Sequence, residues 1–194
     1  MLIYSTIPQP KVFVNSVFVY PTETCYGLGC NAMSEDLVRR IYSIKGRSFA
    51  KPLSWIVSDR KMAEDYVEFS EKARALAERL WPGGATLVLP LKKKYARIAS
   101  AAADGCIGIR VSPHPFACEI SRILQAPIVA TSANVSGNGE CYSIQEVSAQ
   151  FANQVQKPDF AIDYGILPHT VPTTVARVLG DTVEVLRQGE IYVE

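Results

Sequence analysis

Residues 34–57 read SEDLVRRIYSIKGRSFAKPLSWIV, a complete passage from a helix start to a strand. Ser34 is a favoured N-cap residue, and the acids Glu35 and Asp36 follow it where the positive end of the helix dipole welcomes negative charge. Leu37, Ile41 and Ile44 recur at helical spacing, and Gly46 stands where a C-cap belongs. Lys45, Gly46 and Arg47 therefore lie at a helix end. LSWIV (53–57) then reads as a buried strand, so one helix and one strand flank a basic turn.

The same alternation extends in both directions. SVFVY (16–20) is a strand candidate, and helices are expected near 59–67 and 71–81, the second capped by Ser70 with Ala73, Leu76, Ala77 and Leu80 facing inward and Pro82-Gly83-Gly84 ending it. TLVLPL (86–91) and IGIRV (107–111) are further strands, and the alanine-rich stretch between them is expected to be helical. HPFACEISRIL (114–124) is an amphipathic helix, PIVAT (127–131) a strand, and Ser143 with Glu146 makes a capping box for a helix to about residue 154. TTVARVL, a Gly180-Asp181 turn and TVEVLR give a closing hairpin. Strands alternating with helices before a hairpin imply an α/β layered domain with a mixed sheet. No linker or internal repeat divides the 194 residues, so a single domain over 1–194 is expected.

Composition narrows the function classes. With 48% hydrophobic residues the chain can bury a sizeable core, and no apolar run approaches the roughly 20 residues that span a bilayer. A soluble, cytoplasmic protein is expected. Five cysteines (25, 30, 106, 118 and 141) form an odd set without a C-x-x-C pair, and only His114 and His169 could join them on a transition metal. Buried free thiols and no protein-built metal site follow. The net charge of +1 argues against an ordinary, strongly basic nucleic-acid binder. Its distribution is uneven, however: residues 35–100 carry 14 Lys/Arg against 8 Asp/Glu, and residues 101–194 carry 5 against 10. A cleft lined by the first segment would attract anions.

Two short motifs stand at element ends, where α/β folds collect ligands. Lys45-Gly46-Arg47 offers a point charge and a planar fork to different oxygens of one polyphosphate. Ser132-Ala133-Asn134, after the strand PIVAT, offers uncharged donors. Neither a P-loop nor a G-x-G-x-x-G fingerprint is present, so a nucleotide would have to be held another way. The stretch VYPTETCYGLGC (19–30) runs from a strand into a loop of hydroxyls with one carboxylate, an unusual lining for a bare surface turn.

YPTETCYGLGC, IYSIKGRSFAKPLSWIV, WPGGATLVLPL, GIRVSPHP, VATSANVSG and VLRQGEI, in that order over roughly residues 16–190, resemble the YrdC-like family of threonylcarbamoyl-AMP synthases. The resemblance implies a twisted mixed α/β sheet flanked by helices around a large positive cavity. It also implies a reaction of L-threonine, bicarbonate and ATP that yields threonylcarbamoyl-AMP and pyrophosphate, with Mg2+ carried on ATP. The product would pass to the tRNA threonylcarbamoyl transferase complex for the t6A37 modification. Carried over by position, Lys45 and Arg47 clamp the triphosphate, and Ser132 and Asn134 contact phosphates or the reacting carbamate. Arg187 closes over the nucleotide. Thr22, Thr24, Tyr26, Arg110 and Thr173 serve the threonine end. Two departures touch this pattern: Ser48 follows Arg47 where relatives commonly have proline, and Trp55 falls near a position where some place histidine. Two other readings remain open, a double-stranded RNA or tRNA-binding module, with weak RNA binding, and a YrdC-like paralogue acting on a different carbamoyl substrate.

Overall fold

The computed structural model of the chain describes residues 1–95, 98 and 104–193. In chain order its elements are β1 (Leu2–Tyr4), α1 (Pro10–Phe13), β2 (Phe18–Pro21), β3 (Tyr26–Gly29), α2 (Glu35–Lys45), β4 (Ser54–Ile56), α3 (Arg60–Tyr66), α4 (Glu71–Leu80) and β5 (Ala85–Pro90). They continue with β6 (Cys106–Arg110), α5 (Pro115–Leu124), β7 (Ile128–Ser132), α6 (Ile144–Phe151), β8 (Phe160–Ile162), β9 (Thr174–Leu179) and β10 (Thr182–Arg187). The strands join in the order β1-β8-β2-β3-β7-β4-β6-β5-β9-β10, with parallel and antiparallel pairs mixed. The fold is a mixed α/β sheet flanked by helices.

The caps form as their residue types dictate. Ser34 accepts from the Leu37 amide, Asp59 from Met62 and Ser70 from Ala73, while Gly46 ends α2 at φ 59°. Ser143 and Glu146 complete the capping box of α6, which stops at Phe151, earlier than expected. The hairpin β9–β10 turns at Gly180 as the sequence implies. The expected alanine-rich helix lies for the most part outside the described residues. No described helix is long and apolar enough to cross a membrane.

Register decides what the sheet presents on each side. Tyr20 pairs with Gly27, Gly27 with Ser132, Ser54 with Ala130, and Ile56 with Arg110, so these residues share one face. On that face α1 and α5 cover the β8–β2 end, through Phe13, Phe18, Ala117, Ile120 and Phe160, and reach across to Ile128 and Ile56 at one end of β7 and β4. Among the described residues no helix covers the remainder. The opposite face carries the larger core, which α2, α3, α4 and α6 cover. Trp55 points into that core and is fully buried, whereas its neighbour Ser54 faces the bare side. The histidine-like position therefore contributes bulk to the core and nothing to the cleft.

The residues Tyr26–Gly29, expected to continue the loop, are strand β3. Its glycines disguise it. A Cβ on Gly29 would lie 2.7 Å from both Tyr20 Cε1 and the Val129 carbonyl oxygen. On β6, a Cβ on Gly108 would lie 2.7 Å from Ser54 Oγ. The sheet keeps these positions bare because neighbouring side chains already fill the layer above them.

Candidate active site

A cavity of about 230 Å³ occupies the uncovered part of that face. Among the described residues its walls carry three guanidiniums, Arg47, Arg110 and Arg187, against one carboxylate, Glu140. Hydroxyls of Thr22, Thr24, Ser54, Thr86, Ser132 and Thr173 fill much of the rest. Arg47 and Ser132 also line a second recess, shared with Lys45, Lys51, Asn134, Ser136 and the glycines 46 and 137. The two motifs KGR and SAN thus meet where one cavity opens into the next.

Lys45 is the last residue of α2 and, although it stands at a helix end, only 2% of its surface is exposed. Its Nζ donates to the Ser132 carbonyl, to the Asn134 carbonyl at 2.9 Å and to Asn134 Oδ1 at 3.0 Å. Burial, and then the neighbouring Arg47 charge, pull its pKa down to about 8. The ammonium holds the SAN turn in shape from beneath. A helix end does not make the lysine solvent-facing: the Gly46 cap turns the chain away from α2 directly after Lys45, and the side chain reaches back under the end of β7.

Asn134 is similarly committed. Its Oδ1 also accepts from Ser132 Oγ at 2.6 Å, and its Nδ2 donates to the Asn138 carbonyl at 2.6 Å. Gln150 on α6 completes the lacing: its Oε1 accepts from the Val135 amide at 3.1 Å and its Nε2 donates to the Gly139 carbonyl at 2.8 Å. Arg47 is partly exposed and donates to the Lys51 and Pro52 carbonyls, at 3.4 and 3.2 Å. Those bonds, with Ser48 Oγ accepting from the Ala50 amide at 3.2 Å, close the turn that follows Arg47.

The PTET loop holds itself. Thr22 Oγ1 donates to the Cys25 carbonyl at 2.7 Å and accepts from the Thr24 and Cys25 amides at 3.2 and 3.3 Å. Its hydroxyl is consumed by the turn, while Thr24 Oγ1 bonds to it at 3.1 Å and lines the cleft with acceptor capacity for a ligand hydroxyl. Arg110 pairs with Glu23 Oε1, and Ser112 Oγ donates to Glu23 Oε2 at 2.6 Å. The sequence reading passed over Glu23, whose only signal was being the one carboxylate in the loop. Arg187 donates from Nε to the Thr173 carbonyl and from Nη2 to Thr173 Oγ1, both at 3.0 Å, so these two expected site residues form one wall.

Tyr26 does not join them. Its hydroxyl donates to the Gly165 carbonyl at 2.8 Å and accepts from the Tyr164 amide at 2.9 Å, on the far side of β3 from Gly27. Alternation along a strand sends residues 26 and 27 to opposite faces, which the loop reading could not foresee. Its assignment to the threonine end is corrected to a structural tie. The cysteines are free, and all but Cys118 are buried. Burial and the nearby Glu140 carboxylate push Cys25 up to about 12, so its thiol stays protonated. Among the described residues no group of three or more His, Cys, Asp or Glu could hold a metal ion.

Comparisons with known proteins agree with this architecture. A family model for Sua5, YciO and YrdC proteins, described as "telomere recombination", matches residues 14–189. A Methanocaldococcus jannaschii protein, provisionally named a threonylcarbamoyl-AMP synthase, is 31% identical over 186 residues, which cover 96% of this chain and 86% of that one. The threonylcarbamoyl-AMP synthase of Bacillus subtilis is 35% identical over 93% of this chain, which spans 51% of its length. The crystal structure of Pyrococcus abyssi Sua5 complexed with L-threonine superposes with a TM-score of 0.83 at 30% identity, covering 97% of this chain and 57% of that one. The chain thus spans about half the length of the latter two proteins, and on the extent of these matches it belongs to the Sua5/YciO/YrdC family.

Proposed function

We propose that the chain is an L-threonylcarbamoyladenylate synthase, a nucleotidyltransferase that forms threonylcarbamoyl-AMP and pyrophosphate from L-threonine, bicarbonate and ATP. The observation that carries this reading is the junction of the two recesses. A polyphosphate-sized run of Lys45, Arg47 and hydroxyls opens directly into a cleft whose far end has a guanidinium, Arg110, and the hydroxyl of Thr24. An amino acid and a nucleotide would meet at Arg47 and Ser132, the residues common to both.

The chemistry asks little covalent work of the protein. The threonine ammonium group gives up a proton to solvent, and the resulting amine condenses with bicarbonate to a carbamate with loss of water. A carbamate oxygen then bonds to the α-phosphorus as the bond from that phosphorus to the pyrophosphate oxygen breaks. Positioning and charge neutralisation supply most of the acceleration in such transfers. Arg47 and Arg187 neutralise phosphate charge, Ser132 turns its hydroxyl from Asn134 Oδ1, where Lys45 remains as donor, to a phosphate or carbamate oxygen, and Lys45 with Asn134 fixes the turn that presents Ser132. Mg2+ enters on the phosphates of ATP, as part of the substrate, in keeping with magnesium's preference for phosphate oxygens and water. Residues 1–194 would act as one catalytic domain in the cytoplasm, handing the product to the tRNA-modifying transferase.

The test is pyrophosphate release that requires threonine, bicarbonate and ATP together, with the product identified by mass. Release without threonine, or a product containing another amino acid in preference, would overturn the reading.

A further inference from the structure

A cavity built for polyphosphate gains nothing from a carboxylate, because a like charge repels the ligand. Yet Glu140 lines this one, together with three arginines. It is also the carboxylate with capacity to spare. Glu23 uses both oxygens, on Arg110 and Ser112, and Asp163 serves the Gly165 amide at 2.9 Å and the Tyr26 hydroxyl. Glu140 Oε2 accepts from the Tyr142 hydroxyl at 3.2 Å, and its other oxygen has no hydrogen-bond partner among the described residues.

Glu140 is held in place from both sides. The carbonyl of Gly139 before it accepts from Gln150, and the carbonyl of Cys141 after it accepts from the Tyr26 amide at 2.9 Å. That second bond ties its backbone to the end of the PTET loop. Glu140 and Arg110 line the same cavity as Thr24 and Cys25 of that loop. A carboxylate and a guanidinium therefore flank the loop that carries Thr24.

We infer that Glu140 receives the α-ammonium group of the amino-acid substrate while Arg110 takes its carboxylate, so that the cleft selects a zwitterion. This rests on the synthase reading. It gives Glu140 a second consequence: once the amine has become a carbamate, the new negative charge is repelled from Glu140 and turned toward Arg47 and the nucleotide. A magnesium ligand is the competing role, and the three arginines that share the cavity with the carboxylate, Arg47, Arg110 and Arg187, disfavour a further dication there.

The experiment is titration calorimetry of wild type and Glu140→Gln with L-threonine and with the analogue in which a hydroxyl replaces the ammonium group. ATP binding is measured on the same samples as a check of the fold. A hydrogen bond to a charged group predicts that the substitution weakens threonine binding about tenfold or more. Binding of the analogue should be unchanged or improved, and ATP binding should not weaken. Three results would overturn the inference: equal threonine binding by both proteins, equal loss for both ligands, or a changed Mg2+ requirement for ATP in place of a threonine effect. Wild type that binds ATP but no threonine would instead overturn the synthase reading, and this inference with it.

Discussion

Lys45→Met and Arg47→Ala, two positions apart, should fail in different ways. Removing the Lys45 ammonium leaves the Ser132 and Asn134 carbonyls and Asn134 Oδ1 short of a donor they now share. A buried acceptor left unpaired costs about 1–3 kcal/mol. Part of that sum is returned because a charge that burial disfavours is no longer buried, and Ser132 still serves Oδ1. A net loss of about 2 kcal/mol is expected, read as a lower urea midpoint at unchanged slope. Activity should fall by about 100-fold as well, since the turn that presents Ser132 loses its support and small misplacements are costly in transfer reactions. Arg47 is partly exposed and its two bonds are to carbonyls of its own turn. Its loss should change stability by less than about 1 kcal/mol while lowering pyrophosphate release by about 100-fold or more through lost charge neutralisation. A Lys45→Met protein as stable as wild type would refute the idea that the ammonium braces the turn. Near-normal turnover by folded Arg47→Ala would refute the clamp.

The pH response should split in the same way. Lys45 in the folded protein titrates near 8, below its ordinary value of 10.5, so between those values the unfolded chain binds more protons and stability rises with pH. ATP binding should weaken over that range as the positive charge is lost, and urea unfolding with ATP titration on either side of the midpoint reads both signs. Falling stability across the window would contradict it. Tyr26→Phe should cost about 1–2 kcal/mol of stability, from the ties to Gly165 and Tyr164, with the threonine KM unaltered. Thr24→Val should erase most of the preference for threonine over valine in competition assays with little loss of stability. Thr22→Val should show the reverse, a stability loss of about 1–2 kcal/mol, because its hydroxyl serves three backbone groups.

What was legible in the sequence was whatever local chemistry fixes. Ser34, Ser70 and Ser143 cap the helices they were expected to cap, and the Gly180 turn closes the expected hairpin. Elements set by distant neighbours were not legible. β1, β3 and β8 have three or four residues each, too short for periodicity to declare itself. β8 exists because Phe160 and Ala161 pair with Phe18 and Val19, some 140 residues away in the chain. In β3 the two glycines that made it look like a loop are there because Tyr20 and the Val129 carbonyl leave no room for a Cβ on Gly29.

For the site, residue type proved easier to read than orientation. Every polar side chain in PTETCY could have faced a ligand, and only hydrogen-bond accounting separates them. Thr22 is spent on the turn, Glu23 on Arg110 and Ser112, and Tyr26 on the segment behind the strand, while Thr24 bonds to its loop neighbours Thr22 and Cys25 and keeps acceptor capacity in the cleft. The same accounting reverses the order of importance in the SAN motif. Asn134 has each of its amide groups occupied within the fold, so it presents Ser132 more than it contacts anything itself. A buried polar group must be paired somewhere, and a group already paired inside the protein has less to offer a substrate. The groups that keep capacity, Thr24, Ser132 once Lys45 alone serves Asn134 Oδ1, Arg47, the N–H groups of Arg110 that Glu23 does not engage, and Glu140, are hydroxyls and charges in a single cleft. They divide into donors and cations for phosphate and carbamate oxygens, and one carboxylate for a cation. An amino acid activated by ATP presents both kinds of charge, whereas a nucleotide or a nucleic acid alone would leave the carboxylate without a partner.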